Sequence, residues 1–537
     1  MELPALPRAC AVVAEAWARI AEATAAVDAR FRTGLGDVEA AQRRMLADLI
    51  DANRSTAFGR ENRFSQITSA ESFRVLVPIR DYGAIQPYIG RLIAGEDAVL
   101  TAEPVRFFEQ TGGSSGGVKN IPYTDAGLKS FTDCLYPWLA DLLRRRPAVG
   151  EGRSYFALSP VGRSLDRRIG AYPLGSPMPF AYFGALRDSM IELSAVPMEL
   201  RLLSHFDAWQ RRTCLHLLRA EDLTLIWVWS PTYLTEILRA MRRDAASLLP
   251  QLAADLAVSQ PIDMVRRRIK ALEDVLDGRQ EDLSAIWPRL DTISCWTDAS
   301  SKGFAAELQA LFPRAFMQSK GLMSTEAAVS FPYGEGPGSS LAASSGFFEF
   351  VDDDGVCRFA WQLTSGRTYR LIVTTGSGLY RYDTHDMVEI VGFSGNTPRL
   401  RFSGRAGISV DMCGEKLNEP FVARCVDEIA PASYALLAAT TAPSPHYRLL
   451  LEVGPHGSAN AAIAERLDKA LGANPQYEYA RRIGQLDRVR VTLVDDLFGR
   501  LKRYRLRGGT SIAGMKAPVL LKEVDSAFLS TLDEQAP

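Results

Sequence analysis

A glycine- and serine-rich stretch, TGGSSGGVK at residues 111–119, is the feature that most limits what this chain can fold into. It follows the segment VRFFEQ (105–110), whose branched and aromatic residues are typical of a strand. The glycines allow positive φ and close approach to a ligand, and consecutive N–H groups beside two serine hydroxyls suit phosphate oxygens. Lys119 adds a positive charge next to them. The stretch therefore predicts a strand followed by a phosphate-binding loop, with a glycine-rich surface loop as the alternative.

Two other motifs compete for the same stretch. A Walker loop requires a lysine directly after its last glycine, but Gly117 is followed by Val118, so this motif is excluded. The pattern G-x-S-x-G occurs centred on Ser114 and again on Ser115, and it is the signature of a hydrolase nucleophile elbow. An elbow requires a helix directly after the turn, whereas IPYT (121–124) favours an extended chain. A serine hydrolase therefore stays an alternative only.

Short apolar segments alternate with helical patterns and predict an α/β fold, in which helices cover the sheets. The segments predicted as strands are SYFALS (154–159), LTLIWVW (223–229), DTISCW (291–296), GFFEFV (346–351) and YRLIVTT (369–375). After a stretch rich in turn residues at 394–407, further strand candidates surround a helical pattern at 459–472. We therefore predict a large N-terminal domain, residues 1–406, and a small α+β C-terminal domain, residues 407–537, joined by a hinge.

Charge and composition exclude several classes of function. The 62 basic and 63 acidic residues give a net charge of −1, which provides no general attraction to nucleic acid or anionic lipid. The runs at 144–146 and 266–268, all arginine, are accordingly expected to be solvated helix faces. No segment reaches the roughly 18–20 apolar residues of a membrane span, and the cysteines include no C-x-x-C pair. A cytoplasmic protein with no nucleic-acid or membrane partner is expected.

The glycine-serine loop resembles the loop [ST]-S-G-[ST]-[ST]-G-x-P-K of the adenylate-forming superfamily. Further segments resemble one branch of it, the Gretchen Hagen 3 family of acyl acid amido synthetases. In the family's order along the chain, they are VPIRDYGAIQPYIGRLIAGE (77–96), WPRLDTISCWTDAS (287–300), SKGLMSTEAA (319–328), LYRYDTHDMVEIVGF (379–393), NPQYEYARRIGQL (474–486) and GGTSIAGMKAPVLL (508–521). A resemblance that covers nearly the whole chain is more specific than any single loop.

The resemblance implies a two-step ligation that uses ATP and Mg²⁺. A carboxylic acid attacks ATP to give an acyl-adenylate and pyrophosphate, and an amino acid or another amine then displaces AMP to form an amide. A large adenylation domain and a small C-terminal domain that rotates between the half-reactions are implied as well. Closure of the two domains would exclude water from an intermediate that hydrolyses readily.

The resemblance also implies which residues bind the nucleotide. Ser114, Ser115 and Lys119 would hold the β- and γ-phosphates. The other loop and motif residues expected at the nucleotide are Thr111, Gly113, Gly116, Ser324 and Thr325. Glu326 matches the glutamate that coordinates Mg²⁺, a cation that prefers carboxylate and phosphate oxygens.

The segment around residue 386 is expected at the nucleoside. Asp386 matches the motif aspartate that accepts hydrogen bonds from both ribose hydroxyls. Tyr382 or Tyr380 is expected near the adenine, although a tyrosine at alternating strand spacing also suits a core. His385 stands where the family has a glycine, which puts the local turn in question. This histidine either reaches toward substrate or has no role.

Three basic residues are predicted to be catalytic by the same resemblance. Arg405 matches the superfamily's hinge arginine, whose guanidinium forks onto phosphate or ribose oxygens, and Ala406–Gly407 would form the pivot. Lys416 resembles a family lysine that contacts the phosphates. Lys516 resembles the C-terminal-domain lysine that neutralises developing charge at the carboxylate and the α-phosphate during adenylation.

The acyl acid and its acceptor are left open by the sequence. An acyl-CoA ligase would share the first half-reaction, and a non-catalytic nucleotide-binding protein would share the fold. The apolar segment 124–146 is expected to contribute to the acyl pocket, and its Phe131 and Trp138 favour an apolar or aromatic acid. The same residues also suit the core of a helix bundle.

Overall fold

The computed structural model describes residues 6–112, 118–158, 167–176, 178–203, 205–406, 409–410, 412–413, 415, 417–430, 434–440, 444–452, 461–482, 485–507, 517–521 and 528. Its helices are α1 (Leu6–Gly34), α2 (Val38–Ala52), α3 (Ala57–Glu61), α4 (Ala70–Leu76), α5 (Tyr82–Ile93), α6 (Asp125–Arg145), α7 (Arg187–Leu193), α8 (Phe206–Arg219), α9 (Pro231–Arg243), α10 (Ala245–Ala257), α11 (Ile262–Leu276), α12 (Lys302–Leu311), α13 (Glu419–Ile429), α14 (Ala461–Leu471), α15 (Pro475–Arg482) and α16 (Leu497–Arg507).

The strands form several separate sheets. They are β1 (Phe107–Gly112), β2 (Val118–Tyr123), β3 (Arg153–Phe156), β4 (Arg168–Ile169), β5 (Tyr172–Pro173), β6 (Leu223–Trp227), β7 (Thr292–Cys295), β8 (Phe316–Ser319), β9 (Ser330–Phe331), β10 (Ser339–Leu341), β11 (Phe347–Val351), β12 (Cys357–Phe359), β13 (Thr368–Thr374), β14 (Tyr382–Ser394), β15 (Thr397–Arg405), β16 (Ser409–Val410), β17 (Leu417–Asn418), β18 (Ala435–Thr440), β19 (His446–Glu452), β20 (Arg490–Val494) and β21 (Leu520–Leu521).

A parallel sheet with the strand order β3-β6-β7-β8 forms the centre of one core of the N-terminal region. Every residue of β6 and β7 is buried, because helices cover the sheet and leave neither face to solvent. The sequence predicted strands in three of these places, and the structure confirms them as β3, β6 and β7. The carboxyl ends of parallel strands meet at one edge of a sheet, which is where ligands bind in open α/β folds.

The second sheet is antiparallel, with the order β12-β11-β13-β14-β15-β10-β9. Its longest strands, β14 and β15, form a hairpin whose register pairs Asp386 with Arg405. Helices α1 and α6 pack beside this sheet in the largest hydrophobic core. The hairpin therefore carries the segments predicted at the nucleoside and at the hinge to the same end of the sheet.

A smaller C-terminal region contains the sheet β20-β19-β18-β21 and the helices α13 to α16. It packs on the N-terminal region through Phe304 of α12, whose ring lies 5.5 Å from that of Tyr434 and 5.1 Å from that of Phe498. Lys502 of α16 also forms a salt bridge of 3.1 Å with Glu236 of α9. A mixed helix and sheet fold with a large N-terminal and a smaller C-terminal part is thus confirmed, while the boundary between residues 406 and 407 stays a prediction.

The arginine runs are solvated in part: two residues of each run are exposed as expected, whereas Arg146 and Arg268 bind other parts of the protein. Arg268 is 6% exposed, and its guanidinium donates to the carbonyl oxygens of Leu218, Ala285 and Ile286. Arg146 forms a salt bridge of 2.8 Å with Asp291 at the start of the parallel sheet. Arg146 thus ties the end of α6 to the start of β7, whereas Arg268 ties α11 to α8 and to the loop before β7, because a buried guanidinium needs protein acceptors for its donors.

None of the helices in the described ranges combines the length and the apolar content that crossing a membrane demands.

Candidate nucleotide site

The glycine-serine loop connects the two strands of an antiparallel hairpin, β1 and β2. Thr111 pairs with Lys119 in the hairpin register, so both lie at the base of the loop. The chain after the loop forms β2 up to Tyr123, and α6 begins only at Asp125, where the Thr124 hydroxyl caps it. Because a strand rather than a helix follows the loop, the geometry of a hydrolase nucleophile elbow is not met.

Lys119 reaches across to the antiparallel sheet. Its Nζ donates to the hydroxyl of Tyr382 at 3.1 Å, a contact between residues 263 positions apart in the chain. The ammonium also lies 5.7 Å from the ring centroid of Tyr82 and 5.8 Å from that of Tyr382. Tyr380, the other tyrosine considered for the adenine, is a core residue like Tyr382, and its ring stacks on Phe58 at 4.8 Å. Of the two tyrosines, Tyr382 is therefore the one beside the loop lysine.

Ser324, Thr325 and Glu326 form a tight turn against the same hairpin. The N–H of Ser324 donates to the carbonyl of Ala327 at 2.9 Å, and the Ser324 hydroxyl accepts from the Ala327 N–H at 3.3 Å. The carbonyl of Thr325 accepts from the hydroxyl of Tyr123 at 2.6 Å. These bonds hold the turn beside β2 and fix the backbone of Glu326.

Asp386 and Arg405 form a buried ion pair across the β14–β15 hairpin. The Arg405 Nε donates to Asp386 Oδ1 at 2.7 Å, and the side chain of Asp386 is 2% exposed. Its other carboxylate oxygen accepts no hydrogen bond from the described residues. That oxygen retains its capacity to accept a donor such as a ribose hydroxyl.

The turn before Asp386 forms although His385 replaces the family's glycine. The φ of His385 is +60°, in the left-handed region that glycine adopts at least cost. The N–H of His385 donates to Asp383 Oδ1 at 2.9 Å, and its carbonyl accepts from the Ala406 N–H at 2.6 Å. These two bonds compensate for the unfavourable φ and tie the turn to the predicted hinge.

Electrostatic interactions connect these residues into one group, which we call the nucleotide cluster: Lys119, Glu326, Tyr382, Asp386 and Arg405. The pKa of Arg405 is raised, chiefly by the Asp386 carboxylate and further by Glu326. The pKa of the Tyr382 hydroxyl is raised well above its ordinary value by burial and by the charge of Glu326. The cluster thus combines fixed cations, two carboxylates and an aromatic ring, which is the chemistry that a nucleoside polyphosphate with a cation needs.

Glu326 fits a cation on the evidence of its own surroundings. The residue is 7% exposed, and its carboxylate accepts no hydrogen bond from any residue that the structure describes. A carboxylate of a largely buried residue that accepts no donor from the described residues, and whose oxygens are not fully enclosed, can bind a cation. The described residues contain no group of three or more metal-binding side chains, so a cation here would take further oxygen ligands from phosphates and water.

Several predicted site residues lie outside the described residues. They are Gly113, Ser114, Ser115, Gly116, Lys416 and Lys516. The nucleotide cluster therefore contains only some of the predicted site residues. The roles of all the predicted site residues stay predictions.

Sequence reasoning overlooked Lys320, a buried lysine that directly follows β8. Its Nζ lies 3.1 Å from the ring centroid of Trp227, a residue of β6. Lys320 lies in the segment 319–328 that resembles the family, but no role was assigned to it and no strand was predicted before it. The sequence alone does not show where such a side chain points.

Models of the GH3 family match three successive parts of the chain. The GH3 family N-terminal domain matches residues 29–317, the central domain matches residues 339–405, and the C-terminal domain matches residues 422–525. The N-terminal model by itself covers more than half of the 537 residues.

Individual proteins agree with these matches. The "Probable indole-3-acetic acid-amido synthetase GH3.12" of Oryza sativa subsp. japonica is 24% identical, over 94% of this chain and 94% of its own length. The solved structure of the AtGH3.15 acyl acid amido synthetase in complex with 2,4-DB has a TM-score of 0.81 at 17% identity, covering 94% of this chain and 95% of its own. A 2-hydroxyisobutyryl-CoA ligase in the postadenylation state has a TM-score of 0.50 at 12% identity, covering 96% and 92%. The structural similarities show a shared fold.

Proposed function

The chain belongs to the GH3 family, and on this premise we propose that it is an ATP-dependent acyl acid amido synthetase. It adenylates a small carboxylic acid with release of pyrophosphate and transfers the acyl group to an amino acid or another amine, with release of AMP. The observation that supports this best is the nucleotide cluster. Four separate segments, β2, the turn at 324–326, β14 and β15, contribute to it.

In the first half-reaction, these residues act mainly by positioning and by neutralising charge. Lys119, together with the serines and glycines of the loop, binds the β- and γ-phosphates. Asp386 accepts a hydrogen bond from the ribose, while Arg405 holds its carboxylate in place and adds a positive charge. Tyr382, whose hydroxyl accepts a hydrogen bond from Lys119, would pack against the nucleoside.

Glu326 would hold Mg²⁺, with Ser324 and Thr325 shaping the backbone around it. The cation supplies charge neutralisation for the triphosphate. The turn keeps the Glu326 carboxylate close enough to affect both Arg405 and Tyr382, so that the phosphates and the ribose are positioned against one rigid group.

The C-terminal region would take part in both half-reactions. Lys516 would neutralise charge at the carboxylate and the α-phosphate during adenylation, and Lys416 would contact the phosphates. Rotation about residues 406–407 would then exchange the two catalytic states. The packing of Phe304 on Tyr434 and Phe498 supports a defined resting arrangement of the two parts. A cytoplasmic location, without nucleic-acid or membrane partners, stays a prediction from the composition.

The proposed function is tested by exchange of labelled pyrophosphate into ATP, with a panel of aromatic and aliphatic acids and no amine. We expect exchange with one class of acid, and AMP release that then depends on an amino acid rather than on CoA. Lys119→Met should reduce exchange roughly 10- to 150-fold, the equivalent of one lost charged hydrogen bond. Lys129→Met is the matched control, because this lysine lies on the surface of the adjacent α6 and pairs with Asp133. CoA-dependent thioester formation without amide formation would overturn the proposal, and so would an absence of exchange with every acid.

A further inference from the structure

Lys320 is a buried cationic side chain that the nucleotide cluster does not use. The residue is 1% exposed, and its Nζ has no hydrogen-bond partner among the described residues. Burying an amine without a partner costs free energy, whether the amine is charged or neutral. A side chain kept in this state is therefore a candidate for binding a group that the free protein lacks.

The surroundings of Lys320 leave other polar atoms unsatisfied as well. The Trp227 Nε1 and the Ser294 hydroxyl are buried, and within the described part of the chain neither has a hydrogen-bond partner. Trp227 is the register partner of Ser294, and Ser294 is the partner of Gln318, so these side chains share one face of the parallel sheet. Lys320 follows Gln318 by two positions and continues the same face. Three unsatisfied polar groups thus occur together on one side of the sheet.

This face is aromatic and lies at the carboxyl edge of the parallel sheet. The Lys320 Nζ is 3.1 Å from the ring centroid of Trp227 and 4.7 Å from that of Trp229. Trp296 follows β7, has its ring 6.0 Å from Trp229, and is partly exposed like Trp229. Phe156 of β3 also packs on Trp227, with ring centroids 5.8 Å apart. An aromatic surface with access from solvent therefore surrounds the lysine at the edge where ligands bind in such sheets.

Different ionisable groups act on Lys320 and on Arg405 of the nucleotide cluster. Burial lowers the pKa of Lys320 well below its ordinary value, and the ionisable group that acts on it is the Cys295 thiol of β7. The pKa of that thiol is itself raised to about 12 by burial. The pKa of Arg405, by contrast, responds to Asp386 and Glu326. The reacting carboxylate must meet the α-phosphate at the cluster, which leaves Lys320, with its contacts to the rings of Trp227 and Trp229, for another part of the substrate.

We propose that Lys320 is a specificity-determining residue that binds an oxygen substituent, a hydroxyl or a second carboxylate, at the far end of an aromatic acyl acid. The tryptophans contact the aromatic ring, and the Trp227 indole N–H and the Ser294 hydroxyl are additional donors for the same substituent. This inference rests on the proposed function, because it names the class of acid that the amido synthetase takes. An acid with an unsubstituted ring would leave the lysine unpaired and would bind more weakly.

Calorimetry on the full chain without ATP tests the proposal, with phenylacetate, 4-hydroxyphenylacetate and 4-carboxyphenylacetate as probes. We expect each oxygen-bearing acid to bind at least about tenfold more tightly than phenylacetate, the value of one ordinary buried hydrogen bond. Lys320→Met should abolish this preference while retaining phenylacetate binding. Lys270→Met is the matched control, since this lysine is exposed on α11 and pairs with Asp274. The comparison of the two substituted acids shows whether the lysine prefers a hydroxyl or a carboxylate.

Proton uptake gives a readout that does not depend on any variant. Binding of a carboxylate to an unpaired amine stabilises its charged form, so 4-carboxyphenylacetate should bind with proton uptake at pH values where the amine of the free protein is neutral. Titrations in two buffers of different ionisation enthalpy measure this uptake. Lys320→Met removes a buried amine that lacks a partner, so its thermal unfolding should occur no lower than that of the wild type.

The outcomes separate this inference from the proposed function. If Lys320→Met keeps the wild-type preference, if no proton is taken up, or if none of the three acids binds, the role of Lys320 is refuted. Pyrophosphate exchange is scored independently in the same preparations. Exchange with another acid would then uphold adenylation, whereas discrimination by Lys320 without exchange would refute adenylation and retain the binding site.

Discussion

Replacing Asp386 with asparagine is expected to weaken ATP binding roughly 10- to 150-fold through loss of a charged acceptor at the ribose. The substitution preserves the shape of the side chain and can keep an oxygen next to the Arg405 Nε, now 2.7 Å from Oδ1. It converts the other oxygen, which accepts no bond from the described residues, into an amide donor. The change is thus confined to charge and to hydrogen-bonding capacity.

The magnitude follows from the burial of the pair. A hydrogen bond to a charged group contributes about 1.5–3 kcal/mol, and each 1.4 kcal/mol is about tenfold in affinity. Asp386 is also the partner of Arg405, and its side chain is only 2% exposed. Removing one charge of a buried pair costs about 3–5 kcal/mol of folding free energy when the partner is left uncompensated. Because the amide oxygen of asparagine can still accept from Arg405, we expect Asp386→Asn to cost about 3 kcal/mol, the lower end of this range.

The assay compares the KM for ATP with that for 2′-deoxyATP in pyrophosphate exchange, and urea unfolding monitors stability separately. Wild-type protein should prefer ATP, while Asp386→Asn should treat the two nucleotides nearly alike because the acceptor for the hydroxyl is gone. Asp468→Asn serves as the control, since Asp468 pairs with Arg481 at 2.8 Å in the C-terminal region. If Asp386→Asn keeps the wild-type ratio of the two KM values, Asp386 does not bind the ribose and the reasoning fails.

Two further predictions concern Glu326 and His385. Glu326→Gln should raise the Mg²⁺ concentration needed for half-maximal exchange about tenfold. The control Glu335→Gln, on an exposed turn, should leave this concentration unchanged. If Glu326→Gln also leaves it unchanged, Glu326 does not bind the cation. The pKa of His385 is lowered from its ordinary value by burial and by Arg370, Lys119 and Arg405, so the unfolded chain takes up a proton first as the pH falls below about 6.5. His385→Asn is the comparison, because asparagine tolerates the same φ. The urea midpoint of the wild type should fall more than that of His385→Asn between about pH 7.5 and about pH 5, the range in which an ordinary histidine titrates. Equal shifts in the two proteins would show that this histidine does not titrate between the states.

Local patterns made much of the fold predictable. Four segments were recognised as strands because runs of branched and aromatic residues between helical patterns are typical of buried strands. They are 223–229, 291–296, 346–351 and 369–375. Residues 121–124 were recognised as extended, which the end of β2 confirms for 121–123. Within the arginine runs, Arg146 and Arg268 were misjudged, because a run of one charge resembles a solvated face until its acceptors on other elements are known. Arg268 finds those acceptors in loops 17 and more residues away.

By itself, the sequence determined the family, the glycine-serine loop, and the residue types available to bind phosphate, ribose and a cation. These are properties of short segments, because the order of neighbouring residues already shows which chemical groups a segment contains. Only the tertiary structure decided that Lys119 meets Tyr382 across 263 residues and that Arg405 occupies one oxygen of Asp386. It alone placed Lys320 between two tryptophans without a hydrogen-bond partner. The physical reason is that burial and partner choice depend on which elements pack together, and packing is set by the whole core rather than by neighbours in the chain.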